Sequence, residues 1–161
     1  MAEADRAVGT GGTAATGGTA GTGGTAGTGA VRVGVIASLT PLEELDRTPF
    51  LVDTRGQQAM CARWAADQGY VVTRQLLLYG LRTDHHGLWV DVEAGLLDVF
   101  VAPNERVLDR AFTSAPAFSA ECARRGVRLE TVGLDEPSYD AAMKADVHRR
   151  LSMPTAGYDG C

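Results

Sequence analysis

The chain has 161 residues, 45% of them hydrophobic, and a formal net charge of -5, which suits one domain with a single core. No apolar run is long enough to span a bilayer, and the N-terminus lacks the continuous apolar segment of a secretion signal. The net acidity works against a whole-chain field that attracts nucleic acid, and Cys61, Cys122 and Cys161 lie too far apart for a zinc or disulfide framework, so a reducing cytoplasm is the expected location.

Residues 8–30 are almost entirely Gly, Thr and Ala, repeating as GGTAAT, GGTAGT, GGTAGT. Glycine loses the most entropy on ordering and nothing large is available to bury, so residues 1–30 are expected to be a disordered tail. Val31–Ile36 is a β-branched run, the expected first strand. Ser38-Leu39-Thr40-Pro41 breaks it, and residues 41–50 read as a loop or short helical turn. Arg55–Gln68 reads as a helix with Met60, Cys61, Trp64 and Ala65 on one face and Gly69 placed to stop it. Tyr70–Leu78 is a second strand and Asp84–Ala94 a second helix, with Leu88 and Val92 facing inward, Trp89 a further candidate for that face, and Gly95 at its end. Leu96–Ala102 is a third strand interrupted only by Asp98. A third helix is expected over Asp109–Arg125, with Phe112, Ala115, Phe118 and Cys122 on one face and Pro116 marking a break or a first turn. Val127–Val132 is a fourth strand. Ser138–Leu151 is a last helix with Ser138 as its candidate cap, and residues 152–161 a flexible tail.

Strand–helix alternation over residues 31–151 predicts one α/β domain, a mostly parallel sheet with helices on both faces. Sites in such sheets form beyond the carboxyl ends of the strands. Ser38 follows the first strand, Arg82 the second, and Glu105 and Arg106 the third, so element order alone gathers these four at one edge. Without the acidic tail residues Glu3 and Asp5 and the basic Arg6, the domain holds 14 basic and 18 acidic residues, and Lys144 is its only lysine. Arginine suits planar, bidentate contacts to phosphate where it clusters.

Several residues match one pattern in order: Gln57 in the first helix, Gly69-Tyr70, Arg82 before the second helix, Gly95, Asp98-Val99-Phe100-Val101, and Glu105-Arg106-Val107. Over Val31–Asp135 this order and spacing resembles the catalytic domain of the serine recombinases, the resolvase/invertase family. The resemblance implies a resolvase-like fold and duplex DNA as substrate. It implies Ser38 as nucleophile, Arg82 and Arg106 on the scissile phosphate, and Glu105 orienting an arginine. It implies no cofactor, and a homodimer or a partner recombinase.

The departures concern chemistry. The family's Arg-Val-Ser at the end of the first strand is Ile36-Ala37-Ser38 here, and its Asp-Arg-Leu-x-Arg is Glu105-Arg106-Val107-Leu108-Asp109. Arg110 follows one residue later, which on a helix is a rotation of about 100°. Asp53 stands where the family has a serine, and Thr83 where a proline follows the arginine. Each guanidinium lost from an anionic transition state costs about a hundredfold or more, so cleavage is expected to be weak or absent. The long dimerising helix and separate DNA-binding module usual in the family are not expected within these residues. Simpler readings stand beside these: a loop serine capping a helix, a surface arginine at position 82, and a Glu105–Arg106 pair at a helix end. Asp84-His85-His86 lacks a third metal ligand, glycine spacings in the tail lack a flanking strand and helix, and His148-Arg149-Arg150 reads as a solvated helix end or a backbone contact.

Overall fold

The computed structural model describes residues 29–152. The expected tails fall mainly outside the described residues, as does Cys161. Four strands, β1 (Arg32–Ser38), β2 (Val71–Leu78), β3 (Val99–Ala102) and β4 (Arg128–Thr131), form one parallel sheet in the order β2-β1-β3-β4. The helices are α1 (Pro49–Val52), α2 (Thr54–Asp67), α3 (His86–Glu93), α4 (Glu105–Ala111), α5 (Ala115–Arg125) and α6 (Ala141–Ser152). The expected α/β class is therefore observed.

Alternation along the strands supplies two cores. Val33, Val35, Val99 and Val101 pack on Cys61 and Ala65 of α2, while Ile36, Leu76, Phe100 and Ala102 pack on α3, α4 and α5. The second core is aromatic: Trp89, Phe100, Phe112 and Phe118 contact one another, the last two stacked with ring centroids 3.9 Å apart. Gly34 lets the core pack closely, because a Cβ there would lie 2.7 Å from Leu97 Cδ1 and oblige that side chain to shift.

Two expectations are corrected. The helix expected over Asp109–Arg125 is two helices. Phe112 turns extended, Ser114 caps α5 by accepting from Ala117 N–H, and Pro116 sits in the first turn of α5, where a missing N–H costs nothing. The break frees backbone groups that bond the β2 exit, with Leu81 N–H donating to the Ala111 carbonyl and Thr113 N–H to the Leu81 carbonyl. Ser138 does not cap the last helix; Asp140 accepts from Met143 N–H at 2.8 Å instead, and α6 begins at Ala141. The remaining elements match within a few residues, and Gly126 stops α5 with φ 77° as expected.

Asp98 lies just before β3 and holds the opposite end of the sheet together. Its carboxylate accepts from Arg32 N–H (2.8 Å), Nε (3.0 Å) and Nη2 (3.1 Å). The hydrogen bond from the Arg32 side chain, more than the charge alone, holds its pKa below the usual value. A depressed carboxylate pKa gives stability that is present above the unfolded value and lost as pH falls through the folded one. Asp98→Asn is therefore expected to lower the urea midpoint at pH 7 by the equivalent of up to about 1 kcal/mol, as befits a half-exposed pair, and the deficit is expected to shrink as the pH is lowered to about 2.5. An equal deficit at both pH values would contradict this assignment.

Candidate active site

The chain order makes the C-terminal edge between β1 and β3 a switch point, because β1 leads out to β2 on one side and β3 to β4 on the other. Ser38 is the last residue of β1 and is fully buried. Gln57, one turn into α2 and also fully buried, organises its surroundings. Its Oε1 accepts from Ser38 N–H at 2.7 Å, while its Nε2 donates to the carbonyls of Phe50 (2.8 Å) and Leu51 (3.0 Å). One side chain thus ties the strand end to α1, whose Phe50, Leu51 and Val52 are buried. The Ser38 hydroxyl is bound more loosely, 3.3 Å from Gln57 Oε1 and 3.4 Å from the Leu51 carbonyl, both beyond the usual range for O–H···O bonds.

Arg82 lies in the loop after β2, pairs with Asp84 at 2.9 Å and is largely exposed. The Asp84 pKa is lowered by the Arg82 hydrogen bond. Glu105 and Arg106 open α4, both exposed. Arg106 pairs with Glu136 at 2.8 Å, across thirty residues, and not with Glu105. Glu136 also accepts from Asn104, whose Oδ1 caps α4 at Val107 N–H. Among the described residues, none of Arg82, Glu105 and Arg106 hydrogen-bonds to Ser38. The topology gathers them at one edge without joining them to the serine.

The fold gives several groups partners that the sequence did not signal. Arg110 forks onto Glu44 with 3.2 and 3.3 Å bonds and lies 5.9 Å from the Tyr79 ring centroid. The Glu44 pKa is lowered chiefly by that fork. Asp53 caps α2 through Gly56 N–H, accepts from Tyr139 Oη at 2.7 Å and faces Arg150 at 3.4 Å. An aspartate directly before a helix suits a cap, but no local pattern signals partners as distant as Tyr139 and Arg150. Ile36, at the place of the family's arginine, is fully buried in the aromatic core. Asp109 is exposed on α4. Arg82, Arg106, Arg110 and Arg150 each face an acid of this chain. No cluster of His, Cys, Asp and Glu among the described residues is arranged to hold a metal.

A parallel sheet in this order, with a buried serine ending β1 and arginines in the following loops, defines an α/β domain with a switch-point site. The sequence itself matches no family model and no curated protein. Among solved structures it is similar to the C-terminal catalytic domain of ISC1926 TnpA, an IS607-like serine recombinase. The TM-score is 0.50 at 23% identity, covering 76% of this chain and 80% of that one. It also matches the N-terminal catalytic domain of TP901-1 integrase with TM-score 0.49 and 13% identity, covering 73% and 90% of the two chains. The fold is that of a serine recombinase catalytic domain.

The long contacts of the Ser38 hydroxyl make a small contribution to stability. Ser38→Ala is expected to shift the urea midpoint by the equivalent of less than about 1 kcal/mol. A loss above about 2 kcal/mol would mean that the hydroxyl is a structural group.

Proposed function

We propose that this chain is a resolvase/invertase-type serine recombinase domain that acts in site-specific DNA recombination with its own cleavage step impaired. One observation carries the reading: a serine ends the first strand at the switch point of a recombinase fold, while Arg82 and Arg106 are each matched by an acid. In the proposed step, Ser38 Oγ gives up its proton and bonds to phosphorus, and a DNA oxygen leaves and takes up a proton. Arg82 and Arg106 would hold the phosphate oxygens, with Glu105 orienting an arginine.

Magnitudes locate the impairment. The Arg82–Asp84 and Arg106–Glu136 pairs involve exposed arginines, and exposed pairs hold by about 0–1 kcal/mol, so a phosphate can displace the acids. Missing guanidiniums matter more. Ile36 is buried in the core and Asp109 adds negative charge to α4, and each lost donor removes about a hundredfold in rate. A second reading, a regulatory or protein-interaction module without catalysis, is favoured by the complete burial of Ser38. Under it, the partner would be a second copy or another recombinase.

The test is formation of a covalent adduct between the protein and supercoiled DNA. The expected result is a trace adduct that disappears in Ser38→Ala and rises tenfold or more in Asp109→Arg. An adduct undiminished in Ser38→Ala would remove Ser38 from the mechanism, and no Ser38-dependent adduct even in Asp109→Arg would sink the catalytic reading in favour of the second.

A further inference from the structure

The segment between β1 and α2, residues 39–53, covers Ser38. It carries the Leu51 carbonyl that faces the hydroxyl and buries Phe50, Leu51 and Val52. Its outer side is held by α6. Val147 is the one buried residue described in α6, and it plugs into Leu45 and Val52 with Leu42 and Tyr139 around it. Tyr139, on the approach to α6, also packs on the cluster of Phe50, Leu51 and Val107. Three polar pegs complete the attachment. Tyr139 Oη donates to Asp53 Oδ2 at 2.7 Å, Arg150 reaches Asp53 Oδ1 at 3.4 Å, and Lys144 Nζ lies 3.7 Å from Asp46.

Asp53 ends the covering segment, caps α2 and receives two of the three pegs, four residues before Gln57. Thr40 Oγ1, two residues past Ser38, is buried without a hydrogen-bond partner in this closed arrangement. An unpaired buried hydroxyl works against the closed form. A helix attached by one apolar plug and a few polar pegs belongs to the part of a fold that opens locally, ahead of global unfolding.

We propose that α6 is an autoinhibitory strap: docked through Val147 and the Asp53–Tyr139–Arg150 contacts, it reinforces the Gln57 amide in holding residues 39–53 over Ser38, and its release lets that segment open from the serine. The proposal rests on the reading of Ser38 as the reactive hydroxyl of the recombinase site. It assigns α6 a gating role at that site, with the polar pegs weakened by salt.

The test needs no DNA. In a Cys161→Ser background, Ser38→Cys places a thiol at the serine. Cys61 and Cys122 are buried, and burial pushes both thiols up to about 12, so their labelling reports unfolding. Maleimide labelling of the introduced thiol is expected to be slow with α6 intact. It should rise tenfold or more when Tyr139→Phe and Arg150→Met are added, with Cys61 and Cys122 still unlabelled. Equal rates with and without the pegs would overturn the strap, as would fast labelling with α6 intact.

Hydrogen exchange on the unaltered chain covers the case in which the double variant unfolds. Residues 39–53 and 141–152 are expected to exchange together and faster at high salt. Exchange in 141–152 while 39–53 stays protected would overturn the proposal. A negative adduct assay would sink the recombinase reading while leaving these labelling and exchange outcomes intact.

Discussion

The structure depends on one buried amide. Gln57 has no exposed surface, and its side chain makes three short hydrogen bonds to backbone groups: the Ser38 N–H and the Phe50 and Leu51 carbonyls. Each of those groups sits where regular structure stops, and a buried backbone group without a partner costs about 1–3 kcal/mol. An apolar residue at position 57 would leave three unsatisfied at once. The amide therefore fixes where β1 ends, how α1 lies across it and where α2 starts, and so it fixes the position of Ser38.

The same knot separates position from reactivity. Gln57 spends its strong bonds on backbone, and the serine hydroxyl receives only a 3.3 Å contact from it. The hydroxyl is placed at the switch point, dry and loosely held, beneath the chain that Asp53 connects to α6. Three acids around it pair with arginines: Glu44 with Arg110, Glu136 with Arg106, Asp84 with Arg82. A phosphate arriving at this edge would compete with those acids, and it would find Ile36 folded into the aromatic core. The fold fixes the serine at the switch point, while Arg82, Arg106 and Arg110 each pair with an acid of the chain.

Much of this was legible in the sequence where the signal is local. The valines and Ile36 of β1, the apolar face of α2 and the glycines at 69, 95 and 126 gave the strand–helix alternation, because side-chain period and positive φ are properties of neighbouring residues. The ordered spacing from Gln57 to Arg106 gave the recombinase likeness, which the solved structures bear out at the level of fold. Pro116 signalled a break or a first turn, and it does lie in the first turn of α5; where α4 stops was not legible, because the apolar periodicity runs through it and the break is driven by Phe112 and Thr113 pairing with the β2 exit, a contact across thirty residues. The charge pairing was illegible for the same reason. Arg110 and Glu44 are 66 residues apart and Arg150 and Asp53 are 97 apart, and no pattern of single residues records such distances. Glu105 and Arg106 look like a pair in sequence, yet the fold hands Arg106 to Glu136.

The most direct measurement is the unfolding free energy of Gln57→Leu, a substitution close in volume that removes every bond of the amide. If the amide is the constraint on which the site and the fold depend, the urea midpoint falls by the equivalent of about 3 kcal/mol or more, with Cys61 becoming accessible as α2 loosens. An unchanged midpoint, with Cys61 still protected, would contradict the account and would mean that α1 and the end of β1 are held by packing alone.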